Sequence, residues 1–599
     1  MYMKPLSLLL VLSATALAQQ PPRPEYPQPQ FQREAWLTLN GQWDFEFDDA
    51  NTGLKEDWAS GKRKFSRAIT VPFCFESPKS GIGDPSFHPW VWYRRSVTLP
   101  EAWKGRRVLL HFGAVDYRAM VWVNGRLAGG HEGGSTPFRF DVTHLLQPGA
   151  NSITVRAEDP PTDRTIPRGK QYWEVKSRSI FYTRTTGIWQ SVWMEAAGET
   201  WLEKVRITPS AGGLVRFQAV IHNTRPETEL LISILDGDKR VASGSARASG
   251  STAHLELQVT NPRPWFIRQG NLYDVVLEVK EGGAVHDRVR SYFGFRTVTV
   301  ESGRVFLNGR PIYLKMVLDQ GYWPESLLTP PSEEAIKFDI EETMKMGFNG
   351  ARKHQKVEDP RFLYWADRLG YLVSGEMANA YDFTEDYAAR FTREWLEVVE
   401  RDYNHPSVIM WVPINESWGT PDLRSFQQQY HLKANYMLTK SLDPTRPVIE
   451  NDGWEHVDTT DLFALHDYAR SGDLLYAKYK DAGKPGEPIP PNGRAALVPG
   501  YAYNGTPLLL SEFGGIAYIP PGANVPSDAW GYAGVEKTPE AALDRLRGLY
   551  EAIAKLPQIV GICYTQLTDV EQEVNGLFTY DRKPKFDAEA VRQLNDLLR

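Results

Sequence analysis

Two zones of hydrophobic periodicity divide the 599-residue sequence. Together they predict a multidomain chain with an all-β jelly-roll sandwich, an immunoglobulin-like β-sandwich and a C-terminal (β/α)8 TIM barrel. Short alternating runs broken by turn residues fill 31–197 and again 198–298, as half-buried antiparallel strands do. After about Val298, continuous apolar runs of four to six residues alternate with helical patterns, which describes buried parallel strands and their crossover helices.

Taken in order, residues 1–18 read as a secretory signal: Lys4, an apolar run from Leu6 to Val11, and Ala16-Leu17-Ala18 as a small-x-small cleavage site. Cleavage after Ala18 predicts a secreted or periplasmic protein. Residues 19–30 are rich in Pro and Gln and are expected to form a flexible leader. The jelly roll over 31–197 contains Gly41–Phe45, Trp92–Val97, Val108–Phe112, Met120–Val123 and Ile153–Val155, with Asn124-Gly125 as a two-residue hairpin turn. Val215–Ile221, Leu230–Leu235 and Tyr273–Val279 alternate within 198–298, a length that suits one immunoglobulin-like module.

Eight apolar runs follow in 299–599: Tyr313–Val317, Phe348–Ala351, Leu372–Gly375, Val408–Trp411, Pro447–Ile449, Leu462–Leu465, Leu508–Leu510 and Ile559–Cys563. Ser332 caps a helix between two of them, with Glu333 and Glu334 in its first turn and Ile336, Ile340 and Met344 on one face. Thr538-Pro539 opens another, whose apolar face is Ala542, Leu546, Leu549 and Ile553. Eight such βα units make one barrel.

The 68 Lys and Arg against 74 Asp and Glu leave a formal charge of -6, which argues against nucleic acid and against an anionic membrane surface as partners. A small-molecule or oligosaccharide substrate fits that balance, and a homo-oligomer stays open. Two cysteines, Cys74 and Cys563, are too few for a disulfide framework and read as buried apolar side chains. No His, Cys and acidic cluster has metal-ligand spacing, so no metal site and no cofactor are expected, although the sequence leaves a divalent-cation requirement open.

In a barrel the loops after the strands share one mouth, so the residues ending each run are candidates for the site. The first run leads to Asp319 and Gln320, which either read a sugar hydroxyl or simply form a turn. The second ends in Arg352 and His354, and the fourth gives Trp411, Asn415 and Glu416. His466 and Tyr468 follow the sixth, Glu512 the seventh, and Tyr564 and Gln566 the eighth. Trp411 either fills the barrel or offers a platform to a sugar. His354 either packs or contacts substrate. Glu416 and Glu512, three βα units apart, can flank one small substrate. Glycoside hydrolysis needs such a pair, one carboxyl protonated to assist the leaving oxygen and the other ionised.

The order of these segments resembles glycoside hydrolase family 2, the group of β-galactosidases, β-glucuronidases and β-mannosidases. The resemblance rests on Leu39–Trp43, Val121–Gly125, Thr186–Gln190, Asn404–Ser407, Asn415-Glu416, Ser511–Gly514 and Asp581–Lys585. It implies a retaining exo-glycosidase in which Glu416 is the acid/base, Glu512 the nucleophile and Asn415 the amide that bonds the sugar 2-hydroxyl. By the same resemblance Arg352 keeps the nucleophile ionised and His466 contacts substrate.

Two departures matter. Pro413 stands where a ladder residue is usual, so the fourth strand should end early or bulge there. No Asn-x-Lys pair, the carboxylate reader of β-glucuronidases, occurs near 570–585, and uronic acid substrates lose ground accordingly. The expected activity is therefore β-galactosidase. Other readings are the same chemistry on a β-mannoside, an α-L-arabinopyranoside or a β-glucuronide, or a non-catalytic carbohydrate-binding protein.

Overall fold

The computed structural model describes residues 20–532 and 534–599. The expected signal sequence at 1–18 lies outside the described residues. Residues 36–197 form a sandwich of a six-stranded and a four-stranded antiparallel sheet. Each sheet turns alternate side chains inward, so that Trp43, Phe45, Tyr93, Val121 and Val155 from one meet Leu110, Phe112 and Met194 from the other. Asn124 and Gly125 both adopt positive φ and join Arg118–Val123 to Arg126–Glu132, as a tight hairpin requires.

A three-stranded and a four-stranded sheet between Trp201 and Phe293 make the immunoglobulin-like sandwich. Buried Arg33 bonds Glu195 of the jelly roll at 2.6 Å and Asp287 of this second sandwich at 2.8 Å, which ties the two together. The leader before them differs from expectation. Arg23 is buried and donates to Asp359 at 3.0 Å and to the Pro330 carbonyl at 3.2 Å, and buried Tyr26 bonds Glu195. Proline lowers the entropy lost on ordering an extended segment, and these partners hold it between the jelly roll and the barrel.

A small antiparallel sheet, Val298–Ile312, leads into the barrel. The barrel strands are Leu314–Asp319, Gly350–Lys353, Leu372–Glu376, Val408–Val412, Phe463–Asp467, Leu508–Gly514 and Ile559–Thr565, all in one parallel sheet. The fifth expected strand is not a regular one. Trp411 N donates to Pro447 O at 3.0 Å, Asp452 N to Ile414 O at 2.8 Å and Asp461 N to Val448 O at 3.0 Å, so residues 447–453 close the ring through single bridges. Pro447 lacks an N–H and interrupts the ladder there.

The helices match the caps that mark them. Ser332 accepts from Ala335 N ahead of Glu333–Lys345, and Thr538 accepts from Ala541 N ahead of Pro539–Ile553. Side chains of alternate parity separate inside from outside. Met316, Leu318, Val412, Ala464, Leu509 and Cys563 fill the lumen side, whereas Val317, Trp411, Leu465, Leu510 and Tyr564 face the helices. Cys74 and Cys563 are both free and buried.

The jelly roll does more than pack beside the barrel. An arm between its strands Ala150–Glu158 and Gly187–Ile188 crosses to the mouth, where Arg168 N and Gly169 N both donate to Asn379 O, at 3.1 and 2.9 Å. Tyr381 N returns a bond to Arg164 O at 2.9 Å. Gly169 has φ +62, and a Cβ there would overlap the Gln355 carbonyl oxygen, so only glycine allows this approach. Gly169→Ala should therefore cost roughly 1–3 kcal/mol in urea-unfolding free energy and lower kcat/KM, as the arm is pushed from the mouth. Unchanged stability and activity would contradict that account.

Candidate active site

The strand ends converge on Arg352. Its Nε donates to Glu376 at 2.7 Å, Nη1 to Glu512 at 3.2 Å and to the Ser511 carbonyl at 3.2 Å, and Nη2 to the Asn415 side-chain oxygen at 2.7 Å. Asp452 also lies 3.1 Å from Nη1. One guanidinium thus joins the second, third, fourth and seventh strands with the closing segment. Its planar fork allows several directed bonds at once, which an ammonium would not.

Glu416 and Glu512 face each other across this hub, with a carboxylate oxygen of each within 4.8 Å of the other. Tyr468 Oη donates to Glu512 Oε2 at 2.5 Å, and its ring stacks on Tyr532 at 3.6 Å. His466 stands between the two carboxylates, its Nδ1 2.8 Å from Glu416 and 3.4 Å from Glu512, while Nε2 lies 2.7 Å from Asp452. Burial alone would lower this imidazole, but Glu512, Asp452 and Glu416 push it up to about 10. Burial would conversely raise Glu416, yet the His466 hydrogen bond and charge, then Lys170, hold it below the usual carboxylate value. These opposite directions favour a proton on His466 over the one expected on Glu416.

Glu416 projects from an unusual turn. The regular strand stops at Val412, just before Pro413, and Glu416 and Ser417 follow with φ of 52° and 60°. Consecutive left-handed conformations are costly for side-chain-bearing residues and persist only where other contacts impose them. Here Glu416 N donates to Asp452 O at 2.9 Å, Ser417 N to the Asn451 side chain at 2.9 Å and Ser417 Oγ to Glu455 at 2.6 Å.

The remaining expected residues divide. Asn415 is buried and its Nδ2 has no partner among the described residues, so a donor faces the site. His354 lies 3.1 Å from Glu376 and 3.8 Å from Glu512, and its imidazole is held low by burial and then by Lys170. Gln566 accepts from Gln320 at 2.8 Å. Asp319 is a turn residue: it accepts from Gly321 N at 2.8 Å and bonds Lys353.

Three expectations need correction. Trp411 is wholly buried on the helix side and donates to Asp443 at 2.9 Å, so it fills the fold and offers no sugar platform. Tyr564 likewise points outward, against Phe513 and Tyr550. In a strand buried on both faces no polar side marks which parity faces the lumen. His466 was expected to touch substrate, but carboxylates engage both of its nitrogens, so it positions Glu416 and Glu512.

Other residues of the site went unread. Glu376 ends the third strand and Glu512 lies near the end of the seventh, so the same strand-end rule would have found it. Asp452 lies on the segment that only tertiary bridging defines. Lys170, on the arm from the jelly roll, and Glu573, beyond the eighth strand, carry no local signal that places them at the mouth. Glu416, His466 and Glu512 could together offer donor atoms to a metal ion. Each of these side chains already has hydrogen-bond partners in Arg352, Asp452, Tyr468 or one another.

A barrel mouth with two opposed carboxylates on a cationic hub defines a glycoside hydrolase. Comparison with known proteins gives the family. Residues 37–174 match the sugar binding domain of glycosyl hydrolases family 2, residues 202–296 match the model described as glycosyl hydrolases family 2, and residues 298–524 match its TIM barrel domain. A beta-glucuronidase of Felis catus is 28% identical over 510 residues, covering 76% of this chain and 74% of that protein. One of Paenibacillus borealis is 25% identical over 602 residues, covering 92% and 96%. The crystal structure of Ruminococcus gnavus beta-glucuronidase superposes with a TM-score of 0.77 at 22% identity, covering 96% of this chain and 99% of that one. The chain belongs to glycoside hydrolase family 2.

The site sets two expectations. Arg352→Met leaves three buried carboxylates without their cation and should cost about 3–5 kcal/mol of unfolding free energy in urea melts. A midpoint equal to that of the wild type would refute the hub. The raised pKa of His466 gives a second: its stabilising contribution is full below the ordinary imidazole value of roughly 6.5 and is withdrawn as pH rises through about 10. Between pH 7 and 10.5 the wild type should therefore lose more thermal stability than His466→Asn, and parallel losses would contradict the assignment.

Proposed function

We propose that this protein is a retaining exo-β-glycosidase that removes a neutral sugar from the non-reducing end of an oligosaccharide, with β-galactosides as the foremost substrates. The separation of the carboxylates carries the reading. Retaining enzymes hold the pair about 5–5.5 Å apart, whereas inverting ones leave about 6.5–9.5 Å for a water. The nearest oxygens of Glu416 and Glu512 lie within 4.8 Å of each other, which favours the shorter spacing.

In this mechanism Glu512, to which Arg352 Nη1 donates at 3.2 Å, attacks the anomeric carbon. Glu416 gives the leaving oxygen the proton it shares with His466, and a glycosyl-enzyme forms. Glu416 then takes a proton from water, which releases the sugar with its configuration unchanged. The free Nδ2 of Asn415 supplies a donor to the sugar 2-hydroxyl, where hydrogen bonding strengthens in the transition state.

The relatives named beta-glucuronidase support a second reading, hydrolysis of β-glucuronides. Against it stands the segment after the eighth strand, which holds no Asn-x-Lys pair and in which Glu573 adds a buried carboxylate. Parallel assays of aryl β-galactoside and aryl β-glucuronide decide between the two, and a preference for the glucuronide would overturn the first.

Glu416→Gln should lower kcat about 10²–10⁴-fold on substrates with poor leaving groups and much less on activated aryl glycosides. Glu512→Gln should abolish the glycosyl-enzyme that mass spectrometry detects with a slow fluorosugar. Proton NMR of the first product should show the β-anomer, and release of the α-anomer would sink the nucleophile assignment.

A further inference from the structure

The arm that the jelly roll sends to the barrel mouth carries two lysines, of which Lys176 lies 3.8 Å from Asp528 and Lys170 has no such partner among the described residues. Lys170 is 5% exposed, and its ammonium makes no hydrogen bond or ion pair with any described residue. It lies 5.1 Å from the ring centre of Trp418, two residues beyond Glu416. Its charge reaches Glu416, His354 and Glu573, groups from the fourth strand, the second strand and the loop after the eighth. With the Trp418 contact, this puts the ammonium at the mouth, within charge reach of three of its sides.

The position is held firmly. Gly169 is pinned to the Asn379 carbonyl, and Lys170 O accepts from Tyr182 N at 2.9 Å. Tyr182 Oη in turn donates to Glu573 at 2.7 Å, and Thr183 N to Glu571 at 3.1 Å. Trp173 and Phe181 of the same arm pack with Tyr381 and Trp418 of the barrel, at ring separations of 4.5 to 5.6 Å. An ammonium fixed by its backbone, with no protein acceptor and not fully shielded from solvent, has hydrogen bonds to give to a ligand in place of water.

Resting on the functional reading above, we propose that Lys170 is a specificity-determining residue that donates a hydrogen bond to a ring hydroxyl of the neutral terminal sugar. The charges around it favour a hydroxyl over a carboxylate. Arg352 and His466 are committed to Glu376, Glu512, Asp452 and Glu416, which leaves Lys170 as the counter-charge for Glu573 and part of Glu416. A carboxylate on the sugar would add a further negative charge against that single cation. A hydroxyl brings none, and it can accept from Lys170 while donating to a neighbouring carboxylate.

The test measures kcat/KM of wild type, Lys170→Met and Lys170→Arg on the preferred aryl β-hexoside and on its mono-deoxy analogues. Loss of a charged hydrogen bond should lower the methionine variant about 10- to 100-fold on the parent sugar, with partial recovery in the arginine variant. One deoxy analogue should cost the wild type a similar factor and cost Lys170→Met less than about twofold, since the partner is already gone. Thermal melts identify any folding loss, and Lys170→Gln serves as a second uncharged variant. Lys170→Met and Lys170→Gln activities within twofold of the wild type, or equal extra losses on every deoxy analogue, overturn the proposal. A wild-type preference for an aryl β-glucuronide that Lys170→Met abolishes overturns the hydroxyl assignment in favour of a carboxylate. A wild type inactive on every aryl glycoside instead sinks the functional reading, and this proposal with it.

Discussion

The site depends on one buried guanidinium. Arg352 bonds groups on three other strands and on the segment that closes the ring, so its charge sets both the geometry and the protonation of the mouth. Glu376, Glu512 and Asp452 could not share so small and dry a volume without it, because each buried charge needs a partner. His466 adds the second cation of the set. Between them they let the carboxylates of Glu416 and Glu512 approach within 4.8 Å of each other.

Around that hub, the domains act as one device. The barrel supplies the opposed carboxylates, but the jelly roll arm, seated through Gly169, brings Lys170 and an aromatic wall to the same mouth. The strain at Glu416 and Ser417 belongs to this arrangement. Two left-handed residues swing the Glu416 carboxylate toward His466, and bonds with Asn451, Asp452 and Glu455 hold the turn in place. Pro413, out of place in a ladder, marks where the strand yields to that turn.

Much of this was legible along the chain. Glu416 and Glu512 declared themselves because chemistry in a barrel sits at strand ends, and Arg352 did so for the same reason. Glu376 obeyed that rule too and passed unread beside the more conspicuous pair. Trp411 and Tyr564 were placed in the mouth because a parallel strand buried on both faces shows no contrast between its two parities. His466 was read as a ligand for substrate from its position, whereas its role follows from three neighbouring carboxylates that only folding assembles. The leader failed for a related reason: a Pro-rich composition says what a segment cannot build, not what it can dock against.

The sequence by itself determined the three domains, the family and the carboxylate pair, since periodicity and strand-end chemistry are local properties written every two or four residues. Only the tertiary structure decided how His466 sits between Glu416 and Glu512, which strand faces line the mouth, how the fifth position closes the ring and which domain reaches to the mouth. Those depend on electrostatic coupling and contacts between residues hundreds of positions apart, such as Lys170 with Glu416 and Glu573. No local pattern encodes such pairs, because their energy exists only once burial removes the water between them.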